Sequence, residues 1–230
     1  RNQEVWKVGE KELRRKLLEE IKAFGQLLEK ISKQVGLDFI NEPKNSRYFE
    51  FGGGGRMVTF KLWKGQELVK IQVNFLEELL FPRKSLTVKT LLNDVTLSKD
   101  EEVYFEEFLN FYKPFKVDAY DEREILCEKV RAILTRKAQK LRDFYDIFML
   151  DAHGFKAEQL TNEMIRKIKA SLYYKKYRGN LEANKQAIKF STDILEDPFE
   201  RNLFVVSPSR NFEKFLTKLL DLLKEMANRI

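Results

Sequence analysis

Two cations and a carboxylate, Lys129, Arg136 and Asp143, stand at a seven-residue spacing, with Arg142 beside the last and Asp146 just beyond it. Lysine and arginine neutralise charge that develops on phosphate oxygens, and a carboxylate can place a metal or a nucleophile. The combination therefore suits phosphoryl or nucleotidyl transfer. On one unbroken helix the three would share a face, yet at 1.5 Å rise per residue Lys129 and Asp143 would lie roughly 21 Å apart. A common site requires the chain to turn between Thr135 and Leu141. On spacing alone the stronger reading is a structural ion-pair cluster of Arg142, Asp143 and Asp146, because exposed helical charges are abundant and stabilise little.

Composition removes several alternatives. One cysteine, Cys127, cannot form an internal disulfide, and one histidine, His153, leaves no His/Cys set for zinc. Zinc hydrolases, serine triads and Cys–His proteases are set aside. A net charge of +7 favours an anionic partner such as RNA or a nucleotide phosphate. Bases concentrate from Arg166 to Lys189, around Lys175, Lys176 and Arg178, where the lone acid is Glu182. Tyr173, Tyr174 and Tyr177 lie among them, and rings beside cations are one way to hold single-stranded RNA. A solvated basic helix face is the more economical reading of the same stretch. No run approaches the roughly 20 apolar residues of a membrane span, and the N-terminus carries no apolar signal segment. A cytoplasmic location with no membrane partner is expected.

The elements that must position these groups read as α+β. Apolar residues from Leu13 through Leu17, Ile21, Leu28 and Ile31 to Val35 recur at helical spacing and predict a helix over 10–35, stopped by Gly36. Strand-length runs at 48–51, 57–63 and 68–75, broken by glycine, predict an antiparallel meander. Lys70, Gln72 and Asn74 share its polar face. Gly52 to Gly55 could suggest a phosphate loop, but no Gly-Lys-Ser/Thr follows, and a loop between strands fits better. The acids Asp100, Glu101 and Glu102 suit the first turn of a helix rather than a metal site. Beyond Tyr120 the pattern is helical, with Asp121 as a cap, a second helix from Leu141 to about Gly154, and two or three more up to Ile230. Two lobes are expected, 1–120 and 121–230.

The pattern Glu-Lys-x-x-Ala-x-x-x-Arg (Glu128, Lys129, Ala132, Arg136), followed by Arg-Asp-x-Tyr-Asp (Arg142, Asp143, Tyr145, Asp146), resembles the C-terminal signature of the AbiEii/AbiGii toxin-type nucleotidyltransferases. These belong to the DNA-polymerase-β-like superfamily. The strand Val69 to Phe75 with Glu77 and Glu78 resembles their last catalytic strand, so the resemblance covers about 48–150. It implies a partial nucleotidyltransferase-like antiparallel or mixed sheet with an N-terminal helix, plus a C-terminal helical lobe. It also implies that one helix ends after Arg136 and another begins at the Arg-Asp-x-Tyr-Asp segment.

The activity so implied is metal-dependent transfer of a nucleotide from a nucleoside triphosphate (NTP) to RNA, tRNA in some members, or to protein. The setting is a toxin–antitoxin or phage-defence system with a cognate antitoxin, and Mg2+ with NTP is the cofactor set. Lys129 would contact triphosphate, Asp143 would be a catalytic or orienting carboxylate, and Arg136 and Arg142 would support phosphate, with Asp146, Asn74 and Gln72 as supporting groups. The chain departs from the family in having no Asp-x-Asp pair. A preceding segment is expected to carry it, and an active enzyme follows only if it does. The metal ligands are unknown from these residues, since Gln72 and Asn74 occupy the place of a third carboxylate. The alternative is a catalytically inactive nucleotidyltransferase-fold module that binds RNA or protein.

Overall fold

The computed structural model describes residues 10–52, 57–75, 77–89, 95–186 and 192–230. The chain divides into two compact units between Glu78 and Leu79.

In the first unit, helix α1 (Glu10–Gln34) turns Leu17, Ile21 and Leu28 inward, as the three-to-four spacing requires. Gly36 follows with φ +69°, the left-handed conformation that commonly ends helices. Strands β1 (Phe49–Gly52), β2 (Met57–Lys64) and β3 (Glu67–Asn74) form an antiparallel sheet in sequence order. Phe60 faces Phe49 on one side and Ile71 on the other. Its buried ring lies 5.1 Å from Phe24 of α1 and 5.2 Å from Phe49, so the helix is fastened to the sheet through aromatic packing. Lys70, Gln72 and Asn74 are exposed on β3, opposite half-buried Ile71, Val73 and Phe75. Val69 departs from the expected alternation and is exposed. The expected glycine-rich loop falls largely on 53–56, outside the described residues. The strands it joins pair with Gly52 opposite Met57.

The second unit begins with a two-stranded antiparallel ladder of β4 (Lys84–Val88) and β5 (Phe115–Ala119). Between them lie helices α2 (Lys99–Tyr104) and α3 (Glu106–Phe111). The Asp100–Glu102 acids occupy the first turn of α2 behind a Ser98–Glu101 capping box, which is the helix-start role expected of them. Then follow α4 (Glu122–Thr135), α5 (Leu141–Ala152), α6 (Thr161–Ser171), α7 (Lys175–Gln186), the single turn α8 (Pro198–Arg201) and α9 (Arg210–Asn228). Leu126, Val130, Ile133, Phe144, Ile147, Ile168, Leu216 and Leu223 make one core from α4, α5, α6 and α9. Because β4 and β5 fall in this unit, compactness divides the chain earlier than the onset of helical periodicity at 120/121 does.

Among the described residues every strand pair is antiparallel and helix predominates, which makes the fold α+β. No helix is long and apolar enough to cross a membrane.

Asp121 caps α4, accepting from the Arg123 backbone N–H at 2.9 Å. Cys127, on the same helix, is fully buried, and that burial pushes its thiol up to about 12, removing it as a nucleophile at neutral pH.

Candidate functional site

The segment between α4 and α5, Arg136-Lys137-Ala138-Gln139-Lys140, contains neither glycine nor proline, and its residues are good helix formers. Local propensity would carry one helix straight through. The chain nevertheless leaves the helix at Arg136 (φ −88°, ψ 150°) and stays extended at Lys140 (φ −126°, ψ 118°).

Side chains distant in sequence satisfy the groups that this break exposes. Asn180 and Asn184, one turn apart on α7, reach the end of α4. Asn180 Nδ2 donates to the Thr135 carbonyl at 2.9 Å, and Asn184 Nδ2 donates to those of Leu134 and Arg136 at 2.8 and 3.0 Å. These carbonyls belong to the helix end, which has no partners of its own. On the other side of the break, buried Glu200 of α8 accepts from the Leu141 N–H at 3.0 Å and from Lys140 Nζ at 2.7 Å. A carboxylate at a helix N-terminus is favourable, and Lys140 offers no side-chain cap.

With the break in place, the three spaced residues meet. Asp143 accepts from Lys129 Nζ at 2.9 Å through Oδ1 and from Arg136 Nη1 at 2.5 Å through Oδ2. Lys129 Nζ also lies 2.5 Å from Asp146 Oδ2. The Asp143 side chain is 3% exposed, against 28% for Lys129 and 44% for Arg136, so a buried carboxylate holds two cations that reach water. Partial burial alone would lower the Lys129 pKa, but hydrogen bonds to Asp146 and Asp143 outweigh it and raise the value. Lys129 is therefore cationic throughout the neutral range. Arg142, in the first turn of α5, is exposed and forms no ion pair among the described residues.

Glu128, part of the same sequence pattern, turns elsewhere. It binds Arg131 Nε at 2.8 Å, while Arg131 Nη1 donates to Thr135 Oγ1 at 2.9 Å and the guanidinium sits 4.9 Å from the Tyr177 ring centre. This group braces α4 against α7.

The arrangement suits an anion better than a metal. Arg136 commits one of its five N–H donors to Asp143, and Arg142 commits none to an acid, so both can meet phosphate oxygens. Among the described residues no three His, Cys, Asp or Glu side chains gather in a metal-binding group. Asp143 and Asp146, the two carboxylates of this cluster, share the Lys129 ammonium, and Arg136 occupies the second oxygen of Asp143. The solvent-facing cations can meet an anion, and the carboxylates, already engaged by cations, do not fit Mg2+.

The remaining expected groups lie apart from this cluster along the chain. Gln72 and Asn74 are on β3 of the first unit, with Gln72 Nε2 donating to Thr59 Oγ1 at 3.1 Å. Lys175, Lys176 and Arg178 are exposed on the first turn of α7, and Arg178 also donates to the Leu172 carbonyl at 3.2 Å. Lys167, which the sequence counts in the basic stretch, is buried and bound to Glu124 at 2.5 Å. It adds nothing to a basic surface. Asn180, Asn184 and Glu200, which make the break, carry no local signal of that role in the sequence.

The fold and this cluster define an α+β protein with a phosphate-compatible cation pair at a helix break. A model of the family described as nucleotidyl transferase AbiEii toxin, Type IV TA system, matches residues 12–227, and the chain belongs to this family. Membership implies a nucleotidyltransferase toxin of a toxin–antitoxin system, with a nucleotide substrate and a cognate antitoxin. The match takes in both units and extends well beyond the 48–150 stretch on which the sequence resemblance rests. No curated protein and no solved structure matches the chain.

Proposed function

We propose that this protein transfers a nucleotide from an NTP to RNA, tRNA ends foremost, in the cytoplasm, and that the α4–α5 break is its triphosphate-handling half-site. One observation carries the reading: Lys129, Arg136 and Asp143, spaced for opposite ends of a long helix, meet within hydrogen-bonding distance around the break. Arg136 and Arg142 receive phosphate oxygens. Lys129, held protonated by Asp143 and Asp146, supplies a third positive charge against the charge that accumulates on the transferred group. Asp143 is the orienting carboxylate. Both its oxygens are engaged by cations, so it serves neither as a base nor as a metal ligand. The divalent metal implied by the family would have to be held by residues outside this cluster.

Incubating the protein with labelled NTPs, Mg2+ and total tRNA tests this. The wild type labels an acceptor, whereas Lys129→Ala and Asp143→Ala do not; unchanged labelling in both variants overturns the site assignment. A second reading, an inactive module that binds RNA through Lys175, Lys176 and Arg178, is favoured by their exposure on α7. It predicts no labelling by the wild type, together with RNA affinity that falls steeply with salt and with reversal of charge at Lys175 and Lys176.

A further inference from the structure

At the far end of α5 a second feature is independent of the function proposed above. A groove of about 450 Å³ lies between the last turns of α5, the turn at Ala157–Leu160 and the first half of α9. That volume falls within the roughly 300–1,000 Å³ typical of small-molecule sites. Its floor is apolar: the Phe148 and Phe215 rings, 5.4 Å apart, with buried Leu219 beside them.

Its rim is charged in an unbalanced way. Lys214 and Lys218, one turn apart on α9, both line the groove, and neither forms an ion pair among the described residues. Like charges at this spacing repel each other, so an anion seated between them relieves a standing cost. Across the groove, Lys156 is bound to Asp151 at 2.7 Å, and its charge is already answered. Glu158 is the remaining acid of the lining, exposed and without an ion pair among the described residues. It disfavours a polyanion and accepts a hydrogen bond from a donor on the ligand.

We infer that this groove binds a small organic phosphate whose ring stacks on one of Phe148 and Phe215, which are tilted 56° to each other, and meets the other edge-on, while its phosphate meets Lys214 and Lys218. The floor contributes apolar contact, the lysines charge-assisted hydrogen bonds, and Glu158 a preference for a ring or sugar that bears an N–H or O–H donor. The site is distinct from the helix break. Asp143 sits in the first turn of α5 and Asp151 in the last, about 12 Å apart along the helix axis.

Calorimetric titration with three probes tests the inference: 1-naphthyl phosphate, adenosine monophosphate and inorganic phosphate. Both ring phosphates bind at one site, adenosine monophosphate the more tightly of the two because it carries donors, and inorganic phosphate binds far more weakly. The variant Lys214→Glu/Lys218→Glu, changed at two exposed positions, loses at least about tenfold in affinity for the ring phosphates. Phe215→Leu weakens them while leaving inorganic phosphate unchanged, and Arg142→Ala binds them at this site as the wild type does. Equal affinity in the charge-reversed variant, equal affinity for inorganic phosphate, or no binding at millimolar probe overturns the inference. Loss in Arg142→Ala instead would assign the ligand to the helix break.

Discussion

Two of the ion-pair clusters on helix α4, one around Glu124 and one around Lys129, lie about one turn apart and differ in who reaches water. In the first, Glu124 and Lys167 are 1% and 3% exposed, and the second Glu124 oxygen accepts from the Leu80 and Phe81 N–H groups at 2.7 and 3.0 Å. Every charge there is consumed in tying the 80–81 segment and α6 to α4. In the second, the buried member is Asp143 alone, while Lys129 and Arg136 keep solvent-facing atoms. A closed pair can only hold structure. A half-open cluster can exchange part of its partnership for a ligand, which is why spacing alone, blind to exposure, could not separate a phosphate site from an ion-pair cluster.

That contrast can be broken by substitution. Lys167→Met leaves the Glu124 carboxylate buried without its cation and should cost about 3–5 kcal/mol, read as a lower urea midpoint. Should the loss fall below 1 kcal/mol, the closed pair is not the fastening described. Asn184→Ala removes two bonds to the end of α4 and should cost roughly 1–3 kcal/mol. It should also weaken nucleotide binding, because Arg136 no longer leaves the helix at a fixed angle. Lys129→Met, which leaves Asp143 still paired with Arg136, should cost only about 1 kcal/mol. A cost for Lys129→Met equal to that for Lys167→Met would erase the difference between the clusters.

Acid tests the α4 cap. The Arg123 side chain, with help from the Arg123 N–H and from Lys84, holds the Asp121 carboxyl well below its usual value of 3.8 against the opposing effect of burial. A depressed folded value means that this stability is complete above the unfolded pKa and is lost as pH falls below about 4 toward the folded value. Asp121→Asn should therefore flatten that part of the acid limb in unfolding curves. An unchanged acid limb would show that the cap is not what acid releases.

Much of the first unit was legible in the sequence because its signals are local. The Leu17–Ile21–Leu28 spacing, the Gly36 stop and the runs leading to β1, β2 and β3 each lie within a few residues of what they specify. β5 was not legible. Phe115-Lys116-Val117-Asp118-Ala119 is short, with two of its five residues charged, and its pairing with β4 comes from contact with a strand far back in the chain. For the helix break, the family pattern implied it while local chemistry argued against it, since Lys137 to Lys140 favour helix. What imposes it, Asn180, Asn184 and Glu200, lies 45 to 60 residues away. Exposure was equally hidden, so Lys167 read as surface charge when it is core.

If the open cluster at the α4–α5 break receives phosphate, removing its two arginines should weaken nucleotide binding without unfolding the protein. Titrating ATP into the wild type and into Arg136→Ala/Arg142→Ala, with urea unfolding of both, tests it most directly. Binding should be at least about tenfold weaker in the double variant, with stability within roughly 1 kcal/mol of wild type. Equal ATP affinity in two equally folded proteins would contradict it.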